Sequence, residues 1–541
     1  MHDTRRVLVL FLAKHAAVLA LIVLTAIGAG TFALGRNAAI ALRGAVGLAL
    51  YAHAMFYLAL IGQLRPVPII IVTIVLLSGA TGSQPVQTAV DGLRAHRSRW
   101  AFGLTAVAMF LLALLPPIAF DETLYHLPFV REFARDGALH FLPQLRFPVF
   151  PVLHELVSVP AFLLAGDVAT HFMALAQALL LVALLMQWGE RAGWLAAAIF
   201  LGSPLVIHFS TVLYVDVALT LFVAAGFYAL DRERHALAGF LLGTACAVKY
   251  LGWYFLVAAL FILIVRRSSL AGFAIAAAIA ALPMTIWITT QTGDPFFPFL
   301  GNTSWAHPSR AIAFTDRVLG LLRVLWDVTF ARERMNQQPP ITPFLIACVL
   351  LIVAAAIHDT RARWLVALSV AYVVAFSFLP QDSRYLMPLL PLMSVAAALI
   401  VAARWPKAIP LLALIAIAPG LAYGGYRLAL NGVVPEREQW LAQRVPEYRA
   451  LRRGGNERIY VCGGEELKGH AGGVLLGDHF GPYAYNRILV GDIAQRLQRI
   501  DIRYLLVAKS NCARTFATGG MELVYEDEAA QLWRVTPAAQ R

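Results

Sequence analysis

The stretch FDETLYHLPFVREFARDG, from Phe120 to Gly137, follows directly on AFGLTAVAMFLLALLPPIA, residues 101–119. The apolar part is close to the ~20 residues that a helix needs to cross a bilayer. The second part opens with two adjacent carboxylates, Asp121 and Glu122, where that helix should meet the lipid headgroups. Acids also favour the first turn of a helix, where the positive end of the helix dipole lies. The pair therefore indicates either a plain helix start or a general base presented at a wet membrane surface.

The composition is that of an integral membrane protein. Of the 541 residues, 60% are hydrophobic and only 14% are charged, and the mean hydropathy is +0.70. Soluble domains rarely exceed about half apolar content. Because helices satisfy their own backbone hydrogen bonds in lipid, the apolar runs predict an all-α polytopic membrane protein with about 12–14 transmembrane helices. The runs fall at 7–33, 40–62, 66–82, 100–119, 168–188, 192–208, 214–230, 236–248, 251–265, 268–291, 341–357, 363–380, 386–403 and 408–425.

The net charge of +13 comes mostly from arginines between the apolar runs. No block rich in Lys and Arg with interleaved aromatic residues is present, so we expect no nucleic-acid partner. By the positive-inside rule, the short loops that carry most of these cations are cytoplasmic. The residues of those loops are Arg36, Arg43, Arg94, Arg97, Arg99, Arg191, Arg232, Arg234, Arg266, Arg267, Arg361, Arg363, Arg404 and Lys407. The loops with few cations, including that of Asp121, are then extracytoplasmic.

Two long outer loops and the C-terminal tail have a pattern of their own. Charges at helical spacing in 123–137 and 310–334 predict amphipathic helices on the membrane surface. The tail from about Gly432 contains the strand-like runs RIYVCG, GVLLG, IRYLLVAKS and MELVYE, and DIAQRLQRIDIRYLLV is typical of a helix leading into a strand. We therefore expect N-terminal membrane segments at 1–99, a membrane core at 100–431 with outer loops at 120–167 and 293–340, and a small extracytoplasmic α/β domain at 432–541.

The four cysteines divide evenly between the two parts. Cys246 and Cys348 lie in apolar runs, which favours a role as small buried side chains. Cys462 and Cys512 lie in the polar tail and could form a disulfide if the tail faces an oxidising compartment.

Three further polar residues interrupt apolar sequence on the predicted outer side. Asp216 is costly there unless it caps a helix or serves a site. Lys249 either extends its charge to the membrane surface from a tight turn or meets an anionic headgroup. Arg384 either pairs with the neighbouring Asp382 on the surface or binds phosphate through its planar guanidinium.

The order of these motifs resembles the glycosyltransferase C superfamily, in particular the bacterial branch of protein O-mannosyltransferases and lipid A aminoarabinose transferases. The resemblance covers residues 100–425 and rests on motifs that occur in the family's order. These are FDETLYH, YVDVALTLF at 214–222, KYLG at 249–252, GDPFFPF at 293–299 and SRYLMPLLPLM at 383–393. About three extra segments precede the helix that leads to the acidic loop, which departs from that family's pattern.

The resemblance implies a membrane glycosyltransferase in the bacterial inner (plasma) membrane, with its site facing the periplasm or exterior. A sugar would pass from a polyprenyl-phosphate donor to a hydroxyl of a glycan, lipid or protein acceptor. A lipid phosphate is already a good leaving group, so one base suffices, whereas glycoside hydrolysis uses two carboxyls. Asp121 is the expected base and Glu122 its catalytic partner, with no cofactor required and a divalent cation left open.

Cations must stabilise the departing phosphate, and that role falls to Lys249 and Arg384. Glu122 or Asp216 would orient the acceptor or hold the divalent ion. The expected substrate-binding residues are Tyr125, His126, Asp216, Lys249, Tyr250, Arg384 and Tyr385.

Two other classes compete with this interpretation. An O-antigen polymerase or ligase also uses many helices and a polyprenyl lipid, but it carries a large outer loop rich in Arg and His. A transporter or flippase is expected to show broken helices in paired halves and a site at mid-membrane. Here the acids lie at predicted helix ends, which favours the transferase.

Overall fold

The structure is a computed structural model that describes residues 2–81, 99–301, 304–305, 314–434, 436–512, 514 and 519–536. Helices form most of the described residues up to Asn431. Their bounds are α1 His2–Leu34, α2 Ile40–Leu60, α3 Pro66–Ser78, α4 Arg99–Ala113, α5 Leu127–Asp136, α6 Leu153–Ala165, α7 His171–Trp188, α8 Gly193–Leu201, α9 Pro204–Phe209, α10 Asp216–Asp231, α11 His235–Val248, α12 Leu251–Val265, α13 Ala271–Thr292, α14 Phe314–Phe330, α15 Pro343–Ala347, α16 Val349–His358, α17 Thr360–Phe376, α18 Leu389–Arg404 and α19 Ile409–Asn431.

The tail adds a five-stranded sheet and four short helices. The helices are α20 Arg437–Arg444, α21 Tyr448–Arg453, α22 Tyr485–Ile488 and α23 Ile493–Arg499. The strands are β1 Ile459–Cys462, β2 Leu475–Leu476, β3 Tyr504–Ala508, β4 Met521–Glu526 and β5 Ala530–Val535. Their order is β2-β1-β3-β5-β4, with β1 parallel to β2 and β3, and β5 antiparallel to β3 and β4. The helix predicted before β3 is α23, whereas β5 was not predicted.

The structure confirms the predicted fold class, a helical multi-pass membrane protein with a small C-terminal α/β unit. Within the part of the chain that the structure describes, five helical segments are long and apolar enough to cross a membrane. They are Arg6–Leu34, Ile40–Leu60, Asp167–Trp188, Ala271–Thr292 and Pro406–Asn431. Six further apolar helices are shorter, among them α4, α11 and α12. Arg94 and Arg97, assigned above to a cytoplasmic loop, lie outside the described residues, and so does Arg310, the first residue of the second predicted surface helix.

Glycines allow the helices to approach closely. A Cβ at Gly47 of α2 would lie 1.7 Å from the carbonyl oxygen of Ala26 in α1. A Cβ at Gly420 of α19 would lie 1.9 Å from the carbonyl oxygen of Leu201 in α8. No side chain fits at either place, so the backbones themselves make the contact, as in small-residue packing of membrane helices.

The two ends of the bundle collect different residues, as the loop pattern predicts. At one end Arg361 binds Asp231 at 2.7 Å and Glu190 at 3.1 Å, which joins three turns predicted to be cytoplasmic. At the other end the turns that carry Asp121, Lys249 and Arg384 meet. The bundle therefore separates the basic loops from the candidate site.

The two predicted surface helices differ in their surroundings. In α14 the large apolar residues Phe314, Leu322 and Trp326 are exposed, which fits a helix that lies on a membrane. In α5, by contrast, Phe129 and Phe133 are fully buried. The apolar face of α5 therefore packs against protein, and its predicted place on the membrane surface stays a prediction.

Candidate functional site

An ion pair joins Asp121 and Arg384, which are 263 residues apart in the chain. Asp121 immediately precedes a π-helical turn, Glu122–His126, and Arg384 lies in a 3₁₀ turn, Ser383–Leu386, that leads into α18. The Arg384 guanidinium donates to the Asp121 carboxylate, and the two side chains are 12% and 15% exposed. The acid was expected at a wet surface. It is instead partly buried and paired.

Arg384 has a second carboxylate beside it. Its Nε lies 3.1 Å from Asp382, whose carboxylate also accepts hydrogen bonds from the side-chain amides of Asn336 at 2.9 Å and Gln338 at 3.3 Å. Arg384 therefore does pair with Asp382, as one of its two interpretations predicts, but only through one side of its guanidinium. The other side carries Asp121.

The charge state of Asp121 follows from these neighbours. Burial alone would raise the pKa of Asp121, but the positive charges, with Arg384 the largest, outweigh burial and hold this pKa below its usual value. The carboxylate is therefore ionised at neutral pH.

A second ion pair joins Asp216 and Lys249. Lys249 Nζ lies 2.6 Å from Asp216 Oδ1, and Asp216 is only 1% exposed. The N-cap of α10 is Val215 rather than Asp216, and no side chain caps this helix. The capping interpretation of Asp216 therefore fails, since its side chain binds Lys249 instead.

Tyr385 lies between the two cations. Lys249 Nζ is 4.6 Å from the centre of the Tyr385 ring, and the Arg384 guanidinium carbon is 5.3 Å from the same ring. Arg384 also lies 5.4 Å from the ring of Tyr214. Aromatic faces attract cations, so these rings hold two positive charges in one small region.

Glu122 is fully buried and engaged on both oxygens. Oε1 accepts hydrogen bonds from the His171 ring at 2.7 Å and from the Leu213 backbone at 2.7 Å, and Oε2 accepts one from the Ala119 backbone at 3.2 Å. Burial would raise the pKa of Glu122, but the contact with His171 and these donors lowers it overall. The side chain is fully buried and each oxygen already accepts from a protein donor, which favours an orienting role over a catalytic one.

Three predicted substrate-binding residues, Tyr125, His126 and Tyr250, pack among other aromatic rings. Tyr125 is 8% exposed and packs against Phe147, with ring centres 5.2 Å apart. His126 Nδ1 lies 2.5 Å from Glu155, and the Tyr250 hydroxyl donates to the Phe297 carbonyl at 2.9 Å. Their contact with substrate stays a prediction.

A cavity of about 340 Å³ opens beside the Asp121–Arg384 pair. Of the predicted site residues, Asp121, Glu122 and Arg384 line it. Its other polar or aromatic lining residues are Phe120, His171, His208, Thr211, Tyr214, Asn336, Gln338, Arg427 and Trp440. The cavity therefore places two acids, two arginines and several other hydrogen-bonding groups around one space.

Arg427 is the lining residue that sequence reasoning missed most clearly. It lies in α19 and donates to His208 Nδ1 at 3.1 Å and to the Tyr423 hydroxyl at 2.9 Å. An arginine near the end of an apolar membrane helix commonly extends its charge to the membrane surface, so its sequence position alone gives no strong signal.

The C-terminal tail contacts the π-helical turn directly. Arg131, in the middle of α5, donates to the carbonyl oxygens of Gly469 at 2.8 Å and Ala471 at 2.9 Å. A Cβ at Gly469 would lie 2.6 Å from the Cα of Thr123, which follows Glu122. The part of the tail around Gly469 therefore covers the π-helical turn, which begins at Glu122 directly after Asp121.

Buried charges fix this tail segment in place. Lys468 Nζ lies 3.1 Å from Asp478, and the Arg146 Nε lies 3.0 Å from the same carboxylate. Upstream, a disulfide joins Cys462, the last residue of β1, to Cys512, while Cys246 and Cys348 are free and buried. The segment between β1 and β2 is thus held by the disulfide at its start and by the charges around Asp478 beyond its end.

Gly469→Ala should disturb this contact. The new methyl group has no space beside Thr123, so either the tail or the turn must move, and overpacking of this kind costs about 1–3 kcal/mol. We expect a lower thermal midpoint together with lower turnover. Gly519→Ala is the matched control, because a Cβ there meets nothing within 4 Å. Equal midpoints and equal turnover in the two variants would show that the tail does not support the turn.

One group among the described residues has the geometry to hold a cation. Glu132, Asp136 and His140 present ligand atoms within 4.8 Å of one another. Arg135 already pairs with Glu132 and Asp136, and none of the three lines the cavity. This group is therefore separate from the candidate site, and it carries no step of the reaction below.

By sequence, the chain matches no protein-family model and no curated protein. By structure, it is similar to ArnT from Cupriavidus metallidurans in two states. The apo form superposes with a TM-score of 0.58 at 14% identity, covering 81% of this chain and 99% of ArnT. The form bound to undecaprenyl phosphate gives 0.55 at 13% identity, covering 82% and 100%. ArnT is a glycosyltransferase C protein. The chain therefore has the glycosyltransferase C fold that the order of its motifs predicts.

Proposed function

We propose that this protein is a membrane glycosyltransferase that moves a sugar from a polyprenyl-phosphate donor to an acceptor hydroxyl, with Asp121 as the general base. The observation that carries the proposal is the Asp121–Arg384 pair at the edge of one cavity. A carboxylate and a guanidinium in contact supply the two things that this transfer needs, a proton acceptor and a partner for phosphate.

The proposed reaction is a single displacement. The acceptor oxygen forms a bond to the anomeric carbon while the bond from that carbon to the phosphate oxygen breaks. The phosphate leaves with the bonding electrons as polyprenyl phosphate, and the hydroxyl proton passes to Asp121. No general acid is needed, because phosphate is a stable leaving group. Loss of a positioned base typically costs 10²–10⁴-fold in rate.

Arg384 and Lys249 are the proposed phosphate partners. Both lie against the Tyr385 ring, and Arg384 can make two parallel hydrogen bonds to phosphate oxygens. When Arg384 turns to the phosphate, Asp121 loses its closest positive charge, and its pKa rises. A base whose pKa is raised at that moment accepts a proton more readily, so donor binding would activate Asp121.

The fold supports the same donor class. ArnT, which superposes over most of this chain, was determined with undecaprenyl phosphate bound. Asp216, Glu122 and the aromatic residues Tyr125, His126 and Tyr250 then form the frame that orients the donor and the acceptor. The acceptor would enter the cavity next to Asp121, on the side lined by His208, Arg427 and Trp440.

The test is an assay with radiolabelled polyprenyl-phosphate sugars. Membranes that contain the protein should transfer label to an acceptor and release unlabelled polyprenyl phosphate in equal amount. Membranes with Asp121→Asn are the control. Binding or movement of the donor with no release of polyprenyl phosphate would instead indicate a transporter or flippase. No transfer from polyprenyl-phosphate sugars, together with transfer from a polyprenyl-diphosphate-linked glycan and release of polyprenyl diphosphate, would indicate an O-antigen polymerase or ligase.

The orientation of the site is proposed to be extracytoplasmic. Cysteines introduced at Phe120 and at Asp501 in the tail should react with an impermeant thiol reagent in intact cells, since both positions are exposed. Cysteines at Glu233 and Arg363 should react only after the membrane is opened. The native cysteines give no background, because two are buried and two form the disulfide. The reverse pattern would place Asp121 in the cytoplasm and contradict the proposal.

A further inference from the structure

A second cavity lies at the opposite end of the helices from Asp121. It measures about 530 Å³, which is within the usual range of about 300–1,000 Å³ for small-ligand sites. It is formed where α1 turns into α2 and where α10 turns into α11, beside the end of α7. Its lining residues are Asn37, Ala38, Ala39, Leu42, Gln187, Tyr228, Arg232 and Arg234.

The lining of this cavity is positively charged. It contains two arginines and no carboxylate. Arg232 lies 5.5 Å from the ring of Tyr228 and reaches the exposed Glu190 at 3.3 Å. Arg234 takes part in no ion pair with any residue that the structure describes.

The acids near this cavity are Glu190, Asp231 and Glu233; the exposed Glu233 lies between Arg232 and Arg234 in the sequence, but it does not line the cavity and takes part in no ion pair with a described residue. Glu190 and Asp231 are both bound by Arg361, at 3.1 Å and 2.7 Å. Glu190 is thus shared between two arginines, Arg361 and Arg232. The guanidinium of Arg234 therefore has no ion-pair partner among the described residues, and it lies at the edge of a cavity with room for an anion.

The remaining lining residues suit a group that is polar at one end and apolar at the other. The amides of Asn37 and Gln187 can hydrogen-bond oxygen atoms, while Leu42 and the two alanines offer apolar contact. Ala39 and Arg234 are also the N-caps of α2 and α11, and no side chain caps either helix. Their positive dipole ends add to the attraction of the arginines for an anion.

We propose that this cavity binds the headgroup phosphate of an anionic glycerophospholipid. All five helices that border it begin or end there, so it lies at the depth of the headgroups. Basic pockets between membrane helices are known to hold such headgroups. A free phosphate shares the same charge and oxygen atoms, so the experiment below separates the two sources.

The position of the site gives the lipid a structural role. It would bridge the N-terminal pair α1–α2 to α7 and to the α10–α11 turn. The extra N-terminal segments are the part in which the sequence departs from the family pattern. A bound headgroup would hold these segments against the core. This proposal is independent of the transferase reaction, since none of its residues lines the cavity at Asp121.

The experiment uses the full-length protein, delipidated in an uncharged detergent. Phosphatidylglycerol and phosphatidylcholine of the same acyl chains are titrated, and binding is followed by native mass spectrometry and by the thermal midpoint. We expect phosphatidylglycerol to bind at least about 10-fold more tightly and to raise the midpoint. Arg234→Gln should reduce this binding by about 10-fold, the usual worth of one hydrogen bond to a charged group. Added salt should weaken the binding.

Arg404→Gln is the matched control. Arg404 is exposed at the same end of the bundle and lines neither cavity. Its variant should bind phosphatidylglycerol normally, and Arg234→Lys should retain part of the binding. Equal binding of the two lipids by the unaltered protein, or an equal loss in Arg404→Gln, would overturn the proposal. Inorganic phosphate or glycerophosphoglycerol that binds as tightly as the lipid would show a soluble-anion site, and would overturn it as well.

Discussion

Replacing Asp121 with Asn should lower turnover by about 10²–10⁴-fold, the usual effect of losing a positioned base. The amide keeps the size of the carboxylate and can still accept a hydrogen bond from Arg384, but it cannot take the acceptor's proton. Arg384 also keeps Asp382 at 3.1 Å, so its charge is not left alone. The thermal midpoint should therefore change little, and donor affinity should stay the same or rise, because Arg384 no longer leaves a charged partner to meet the phosphate. The measurement is single-turnover transfer of labelled sugar, with the midpoint recorded on the same preparation.

Two variants act as controls for this result. Asp382→Asn removes the other carboxylate beside Arg384, with the same change in charge, and should lose far less turnover. Glu122→Gln places an amide among three hydrogen-bond donors, so at least one donor is left unsatisfied at a cost of about 1–3 kcal/mol. Its main effect should be on stability. If Asp121→Asn stays active while its midpoint falls, the acid is structural and the proposed mechanism is wrong.

Replacing Lys249 with Met should have two separate effects. Donor use should weaken by at least about 10-fold, because a charged hydrogen bond to phosphate is lost. Stability should also fall, because Asp216 is almost fully buried and its other oxygen has no partner among the residues described. Breaking a buried ion pair costs about 3–5 kcal/mol. Lys509→Met is the matched control, since its pair with Glu526 is exposed and screened by solvent, so its loss should leave the thermal midpoint nearly unchanged.

The double variant Lys249→Met/Asp216→Asn separates the two effects. It removes both charges of the buried pair, so most of the lost stability should return. Donor use should remain weak if Lys249 binds phosphate. Recovery of donor use together with stability would mean that Lys249 serves only to neutralise Asp216. The thermal midpoint and the donor concentration at half-maximal transfer measure the two effects independently.

The sequence predicted the elements of the site better than their contacts. Apolar runs and turn residues place Asp121, Lys249 and Arg384 at helix ends on one side, and the structure brings these turns together. The pairing of Asp121 with Arg384 could not be predicted, because it joins segments 263 residues apart whose approach depends on how the helices pack. The same is true of the His171 contact that occupies Glu122.

The tail shows a similar limit. Its strand-like runs predict a small α/β unit, but β5 lacks a strong pattern and is defined by its pairing with β3 and β4. The docking of Gly469 on Thr123 has no signal at all in the local sequence. It depends on a steric fit between two surfaces that are separated by more than 300 residues.

By itself, the sequence determined that this chain is a helical membrane protein with a polar tail and with acids and cations at one set of helix ends. It could do so because hydropathy and charge follow from the side chains alone, and lipid selects helices for apolar runs. The tertiary structure alone decided which charges meet. Partner choice in a buried ion pair depends on distances of a few ångströms, and those distances are set by the packing of helices that are remote in sequence. For that reason Asp121 pairs with Arg384 and Asp216 pairs with Lys249, whereas Arg234 borders a cavity and has no ion-pair partner among the described residues.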